Sequence, residues 1–201
     1  MQFGVCWYPE QWPQERWATD IEMMVDLGPD LVRVGEFAWA KLEPEAGRYD
    51  WGWLDTVVES VGEAGMGVVL GTPTATPPVW LMRAHPDTMI TDQRGARVPY
   101  GSRRHTCTTS ATYRRESLRI TDALVGRYGA NPAVAGWQVD NEPGNHDSAR
   151  CWCDECEVAF SRWLEDRFGT IDALNEAWGT IFWSQSYPDF DSVRLPRDTM
   201  T

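Results

Sequence analysis

The chain has 201 residues, a length that suits one compact domain or part of a larger one. Apolar residues make up 42% of it and charged residues 24%, which allows a packed core and argues against a disordered protein. The formal net charge of -12 argues against binding to nucleic acid or to an anionic membrane surface. Twelve tryptophans exceed ordinary usage and favour surfaces that stack against sugars or bases, in addition to core packing.

No apolar run approaches the roughly 20 residues that a membrane helix needs, so we expect no membrane partner. Residues 1–7 contain no basic segment followed by an apolar stretch, and we therefore expect a cytoplasmic protein without a signal peptide. The five cysteines are odd in number, which excludes a fully paired disulfide framework and favours metal binding or free thiols.

Apolar runs alternate with amphipathic stretches along the chain. In chain order they predict a strand at 3–7, a helix at 13–27, a strand at 31–34, a helix at 53–64, a strand at 66–71, a helix at 113–128, a strand at 133–139, and helices at 156–168 and 171–178. The strands are apolar without alternation, which suits a parallel sheet buried on both faces. The segments 72–110 and 140–154 are predicted as long loops, and such loops in a compact domain are usually functional.

Side-chain spacing predicts which faces of these elements are buried. Three helices should pack through Trp17, Ile21, Met24 and Val25, through Leu54, Val57, Val58 and Val61, and through Leu118, Thr121, Val125 and Tyr128. Cys6, within the first strand, is predicted as a small core residue. Core packing is also the prediction for Trp51, Trp53 and Trp163.

Four successive strand–helix units predict an α/β architecture, either a barrel or a doubly wound sheet. No glycine-rich phosphate motif follows the first strand, which disfavours a dinucleotide fold. Polar and aromatic residues follow each strand, as they do at the C-terminal face of a (β/α)8 TIM barrel. We therefore expect residues 1–201 to be the N-terminal portion of such a barrel, roughly its first half. The tail at 194–201 has no closing element, so the chain is expected to be truncated.

The predicted fourth strand ends in Asn141-Glu142-Pro143. A rigid strand would hold the Glu142 carboxyl group at a pocket, where it could protonate a departing glycosidic oxygen. Asn141 could bond a sugar 2-hydroxyl, an interaction that strengthens in the transition state. The alternative is that these residues only turn the chain.

Further candidates for a sugar site lie in the loops. Arg103 could bind sugar hydroxyls or orient a carboxylate if it lies near the strand tips, and the alternative is a solvated pair with Arg104. Several side chains could either line a sugar subsite or pack the barrel mouth: Tyr8, Glu10, Glu36, Phe37, Trp39 and Trp183.

Cys151, Cys153 and Cys156 lie close together in sequence, and Cys107 precedes them in the long third loop. Four thiols can form a tetrahedral site, for which zinc is the best candidate, and a closed site of this kind would be structural. It would join the two long loops. The alternatives are free thiols in a reducing cytosol, or a site in which His105 or His146 replaces a thiol.

Together these residues resemble glycoside hydrolase family 42, the bacterial β-galactosidases. The motifs that carry the resemblance span residues 4–13, 32–39, 101–107 and 137–142 and the cluster Cys151, Cys153 and Cys156. The resemblance implies a (β/α)8 barrel and a retaining double displacement on terminal β-D-galactosides. It places Glu142 at the acid/base position, Arg103, Asn141 and Trp183 at substrate-binding positions, and Cys107, Cys151, Cys153 and Cys156 at the zinc ligands. It also implies a homo-oligomer, commonly a trimer.

One catalytic group of the family lies outside this sequence. The resemblance places the nucleophile, a glutamate, on a later strand, beyond residue 201. A retaining enzyme needs two carboxyl groups about 5–5.5 Å apart, so we expect the 201 residues alone to be inactive. Two other functions stay open: a non-catalytic zinc-binding fragment, and a related α-L-arabinopyranosidase or β-glycosidase.

Overall fold

A computed structural model of the chain describes residues 1–101, 103–145 and 148–198. Four parallel strands form one sheet whose order follows the chain: β1 (Gly4–Cys6), β2 (Leu31–Val34), β3 (Gly67–Gly71) and β4 (Val134–Gln138). The register places Val5 beside Val32, and Val32 beside Val68. Each strand adds to the same edge, as in the successive units of a barrel, whereas a doubly wound sheet reverses its order at a switch point.

Helices connect these strands and follow the last of them. They are α1 (Trp17–Leu27), α2 (Trp39–Leu42), α3 (Gly52–Glu63), α4 (Val79–Ala84), α5 (Ala111–Tyr128), α6 (Asp154–Phe168) and α7 (Ile171–Trp178). Short 3₁₀ helices occur at Pro9–Gln11, Gln14–Arg16, Pro73–Ala75, Pro86–Thr88, Phe182–Ser184 and Phe190–Ser192. In the part of the chain that the structure describes, no helix is both long and apolar enough to cross a bilayer.

The predicted long loop at 72–110 is interrupted by α4, which the sequence analysis missed. This helix begins directly after Pro78 and buries Leu81 and Met82. Proline is compatible with a helix start because its missing N–H would have no helical acceptor there. The predicted loop at 140–154 contains no helix or strand among its described residues until α6 begins at Asp154.

The main core combines β2 and β3 with α1, α3 and α5. The predicted face of α3 is confirmed, since Leu54, Val57, Val58 and Val61 are almost completely buried. The prediction for α5 was wrong in part: Leu118 and Val125 are exposed, and Ile120 and Leu124 are buried instead. This helix carries two apolar stripes that share Tyr128, and the stripe that includes Tyr113, Ile120 and Leu124 faces the core.

Three other burial predictions were wrong. Val25 is exposed, and the buried polar residue of α1 is Asp20, which accepts hydrogen bonds from Trp7 Nε1 and Arg16 Nε. Cys6 is exposed because β1 is an edge strand of the described sheet. Trp163 is also exposed, because α6 packs against α7 through the adjacent Leu164. Trp51 and Trp53 do pack against the main core.

Glu43 is a fully buried carboxylate that holds the chain after α2. It accepts hydrogen bonds from Trp39 Nε1 at 2.9 Å, from the Gly47 amide at 2.6 Å and from Arg119 of α5 at 2.9 Å. Removing one partner of a buried ion pair leaves the other charge uncompensated and costs about 3–5 kcal/mol. This carboxylate therefore joins α2 and α5 in a way that a neutral side chain cannot reproduce.

We expect Glu43→Gln to lower the free energy of unfolding by about 2 kcal/mol, since it removes a buried charge that Arg119 bonds, while Arg119 is partly exposed and keeps Glu116 as a second partner. The urea midpoint of unfolding, followed by tryptophan fluorescence, measures the change. Glu45→Gln is the matched control, because Glu45 forms an exposed ion pair with Arg48, and its loss should cost no more than about 1 kcal/mol. Equal shifts of the midpoint in the two variants would contradict a structural role for Glu43.

Candidate active site and metal centre

The predicted acid, Glu142, lies four residues after the end of β4. Its Oε2 atom lies 2.7 Å from Nη2 of Arg103, and the two side chains are 45% and 29% exposed. Glu142 and Arg103 therefore form an ion pair that solvent can reach. Arg104 pairs with a different carboxylate, that of Asp140. A ligand can approach Glu142 in this arrangement.

Asn141 lies between these groups and the end of the strand, and it is 7% exposed. Its Oδ1 atom accepts a hydrogen bond from Gln138 Nε2 at 3.0 Å. Its Nδ2 atom is buried and, among the described residues, has no hydrogen-bond acceptor. A buried donor without an acceptor costs free energy, so this amide group is left unsatisfied among the described residues.

A second polar cluster follows β1 and β2. Glu36 is fully buried, and its Oε1 lies 2.7 Å from Arg33 Nη2, which also donates to the Tyr8 hydroxyl at 3.3 Å. The Tyr8 and Phe37 rings stack 6.0 Å apart, and the guanidinium of Arg103 lies 5.3 Å from the Phe37 ring. This cluster is therefore continuous with the Arg103–Glu142 pair.

Glu10 belongs to the same region. Burial raises the pKa of Glu10, and the neighbouring Glu36 carboxylate raises it further. Within the described ranges, no donor bonds its buried oxygens. Space here is tight: a Cβ atom on Gly71, at the end of β3, would lie 2.4 Å from Cβ of Glu36. Only glycine lets β3 pass Glu36 at this distance.

The two tryptophan candidates differ in exposure, since one is buried in the core and the other is exposed to solvent. Trp39 is fully buried and donates from Nε1 to Glu43, so it packs the core and does not line a subsite. Trp183 is 74% exposed, and its ring stacks on Phe182 at 5.0 Å. The described contacts do not join Trp183 to Arg103, Asn141 or Glu142, so its place in a sugar site stays a prediction.

The four candidate cysteine ligands converge. The sulfur atoms of Cys107, Cys151, Cys153 and Cys156 all lie within 4.8 Å of one another, and no disulfide forms. Cys107 Sγ lies 3.3 Å from Cys156 Sγ and 3.8 Å from Cys153 Sγ. Tetrahedral zinc with Zn–S bonds of about 2.3 Å places its sulfur ligands roughly 3.8 Å apart, so the four thiols fit the ion.

The surroundings of the cluster favour four sulfur ligands. His105 is buried with its ring edge-on to Tyr100, and it is not part of the cluster. His146, the other alternative ligand, lies outside the described residues.

Contact with Cys107 and burial raise the pKa of Cys151, and burial raises the pKa of Cys156 to about 11. Bound metal has the opposite effect, since it deprotonates a coordinating thiol.

The comparisons with known proteins agree with the geometry. The sequence model of the family described as "Beta-galactosidase", glycoside hydrolase family 42, matches residues 6–201. The chain belongs to this family. It is 55% identical over 197 residues to a β-galactosidase of Thermus thermophilus and 53% identical over 199 residues to one of Haloferax lucentense, covering 98% and 99% of this chain. The chain spans about 30% of the length of each relative.

Solved structures of the family confirm the fold. The β-galactosidase of Halorubrum lacusprofundi superposes with a TM-score of 0.96 at 50% identity, over 100% of this chain and 30% of that one. A β-amylase catalytic domain of Paenibacillus polymyxa, at 16% identity and a TM-score of 0.70, shares the fold alone. The four parallel units of this chain are thus part of a family 42 TIM barrel, as predicted.

Arg33, Thr72 and Thr74 are among the residues of the site region that received no role from the sequence. Arg33 could have been noticed because a charged residue in a buried apolar strand needs a partner. Thr72 and Thr74 follow β3 and bond Asp140, with Thr74 Oγ1 donating at 2.9 Å and Thr72 Oγ1 accepting from the Asp140 amide at 2.7 Å. No local pattern signals these two bonds, because their partners lie more than sixty residues apart.

Proposed function

We propose that the complete gene product is a retaining β-galactosidase that releases terminal non-reducing β-D-galactose, with Glu142 as its acid/base. The observation that carries this proposal is the exposed Glu142 carboxylate beside Arg103 and Asn141 at the tip of β4, in a chain of family 42. Relatives named β-galactosidase support the substrate class.

The chemistry follows from the position of Glu142. The carboxylic acid gives its proton to the glycosidic oxygen as the bond to the leaving group breaks. A second carboxylate attacks the anomeric carbon and forms a galactosyl–enzyme, and Glu142 then removes a proton from the water that hydrolyses it. The resemblance to the family places this second carboxylate beyond residue 201.

The neighbours of Glu142 suit binding roles in this reaction. Arg103 pairs with the carboxylate, and a planar guanidinium with five N–H donors is a group suited to contact with sugar hydroxyls. The free Nδ2 donor of Asn141 supports a bond to the sugar 2-hydroxyl, which strengthens as charge develops at the anomeric centre. The exposed Trp183 ring is suited to stacking on a pyranose face.

We also propose that the four cysteines hold one structural zinc ion. Four thiolate ligands close the coordination sphere, so this ion would activate no water. A thiol-rich site without disulfides suits a reducing compartment, which supports the cytoplasmic location. The trimer implied by the resemblance stays a prediction.

The substrate class is tested by kcat/KM of the complete gene product on aryl β-D-galactoside, α-L-arabinopyranoside and β-D-glucoside. We expect galactoside to exceed arabinopyranoside by about 10–200-fold, the range that one hydroxymethyl group in a pocket provides. Nuclear magnetic resonance of the first-formed sugar should show the β anomer. Preference for arabinopyranoside would favour the related arabinopyranosidase, and zinc binding without hydrolysis would favour the non-catalytic alternative.

A further inference from the structure

Three of the non-glycine residues in the left-handed backbone conformation lie in the two loops that carry Arg103 and Glu142, which are called the rim here. They are Arg104, Asp140 and Glu142, with φ angles of 62°, 59° and 47°. Such a conformation costs a non-glycine residue about 1–2 kcal/mol and persists where surrounding contacts hold it. Two of the three, Arg104 and Asp140, are joined by an ion pair in which Nη1 lies 2.6 Å from Oδ2.

Every polar group of Asp140 is engaged. Its Oδ2 pairs with Arg104, and its Oδ1 accepts from Thr74 Oγ1 at 2.9 Å. Its amide donates to Thr72 Oγ1 at 2.7 Å, and its carbonyl accepts from Gln138 Nε2 at 3.0 Å. The backbone is therefore fixed at the residue directly before Asn141.

Arg104 is itself held from the interior. Its side chain is 6% exposed, and its amide donates to the Ala75 carbonyl at 2.9 Å. The Tyr113 hydroxyl of α5 donates to the Thr74 carbonyl at 2.7 Å, which fixes the segment that Arg104 and Asp140 both contact. The Arg104 guanidinium therefore links the turn after β4 to the segment that is bonded to α5.

We propose that Arg104 is a positioning residue for the reaction, which acts through Asp140 to orient Asn141 and Glu142. The two adjacent arginines then have different tasks. Arg103 faces the acid at the open rim, whereas Arg104 faces inward and fixes the turn that presents that acid. This inference rests on the proposed function, because it assumes that Glu142 supplies the proton.

The test compares two substrates of the complete gene product. A β-galactosyl disaccharide has a poor leaving group that requires protonation, whereas a dinitrophenyl β-galactoside leaves without it. We expect Arg104→Gln to lower kcat/KM for the disaccharide by about 100-fold, the cost of misplacing a catalytic group by about 1 Å. The dinitrophenyl substrate should lose less than about 5-fold, because its departure needs little acid catalysis.

Related variants separate positioning from stability. Arg104→Lys keeps a cation that can reach Asp140 and should restore kcat/KM for the disaccharide to within about 10-fold of the wild type. Asp140→Asn keeps the side-chain shape and removes the charge that Arg104 binds. If Arg104→Gln does not fold, Asp140→Asn replaces it in the test and should show the same losses of kcat/KM. The control is Arg119→Gln, which removes a partner of buried Glu43 far along α5 and should lower Tm without changing the ratio between the substrates.

Four outcomes would overturn the inference. Equal losses on both substrates in Arg104→Gln, in proportion to the change in Tm, would assign Arg104 a purely structural role. Unchanged kinetics in Asp140→Asn would show that the ion pair orients nothing. If Glu142→Gln itself spares the disaccharide, the acid assignment fails and the inference fails with it. A selective disaccharide loss in Glu142→Gln without one in Arg104→Gln would overturn the positioning role alone.

Discussion

Glu142→Gln is expected to lower kcat/KM of the complete gene product for a β-galactosyl disaccharide by about 10³–10⁴-fold. Glutamine has nearly the same shape as glutamate but cannot give a proton to the glycosidic oxygen, and acid–base catalysis contributes up to about 10⁴-fold. Steady-state assay of released galactose measures the loss. A dinitrophenyl β-galactoside should keep kcat/KM within about 10-fold, because its leaving group departs unaided.

The second half of the reaction provides an independent readout. With the dinitrophenyl substrate, kcat of the variant should fall, because water lacks its base and the galactosyl–enzyme accumulates. Azide needs no base, so added azide should restore kcat and yield β-galactosyl azide. The matched control is Glu59→Gln on the exposed side of α3, which should retain wild-type kinetics. Unchanged turnover of the disaccharide by Glu142→Gln would show that another group is the acid.

Cys153→Ser is expected to remove zinc from the protein. Metal analysis should give about one zinc per wild-type chain and almost none in the variant, because serine is not among the ligands that zinc uses in structural sites. Changes to groups outside the coordination sphere already lower metal affinity by about 10–100-fold, so loss of a ligand should exceed 100-fold. Tm should fall with the metal, since zinc binding contributes to folding free energy.

The fifth cysteine supplies the control for this substitution. Cys6 lies in β1 and outside the four-sulfur cluster, so Cys6→Ser should retain both zinc and Tm. A chelator should lower the Tm of the wild type to that of Cys153→Ser and leave the variant unchanged. A wild-type protein that contains no metal, and in which all five thiols and not Cys6 alone react with a disulfide reagent, would refute the zinc site.

Local sequence patterns were sufficient for the sheet and for most helices. β2 and α7 begin and end where the patterns placed them, because short apolar runs and a helix that starts after Thr170 and ends before Gly179 are local signals. The buried face of α5 could not be read in this way. Two of its faces carry apolar residues, and packing against the rest of the core determines which of the two is covered.

In the candidate site, too, some features could be predicted from local sequence and others could not. Glu142, Asn141 and the cysteines stood out because their types and spacing carry chemical meaning. The pairing of Arg103 with Glu142 and of Arg104 with Asp140 could not be read from the chain, since the left-handed turn at Arg104 separates the directions of two adjacent, chemically identical side chains. Their difference is a property of the backbone and not of residue type.

The cysteine cluster has a consequence for the freedom of the rim. Cys107 follows Arg103 and Arg104 closely, and Cys151 closes the segment 139–150, which contains Glu142. With zinc bound as proposed, these two long connections would share one fixed point, and shorter loops have less conformational entropy to lose when they are ordered. Arg103 and Glu142 would then be ordered relative to each other before a sugar binds.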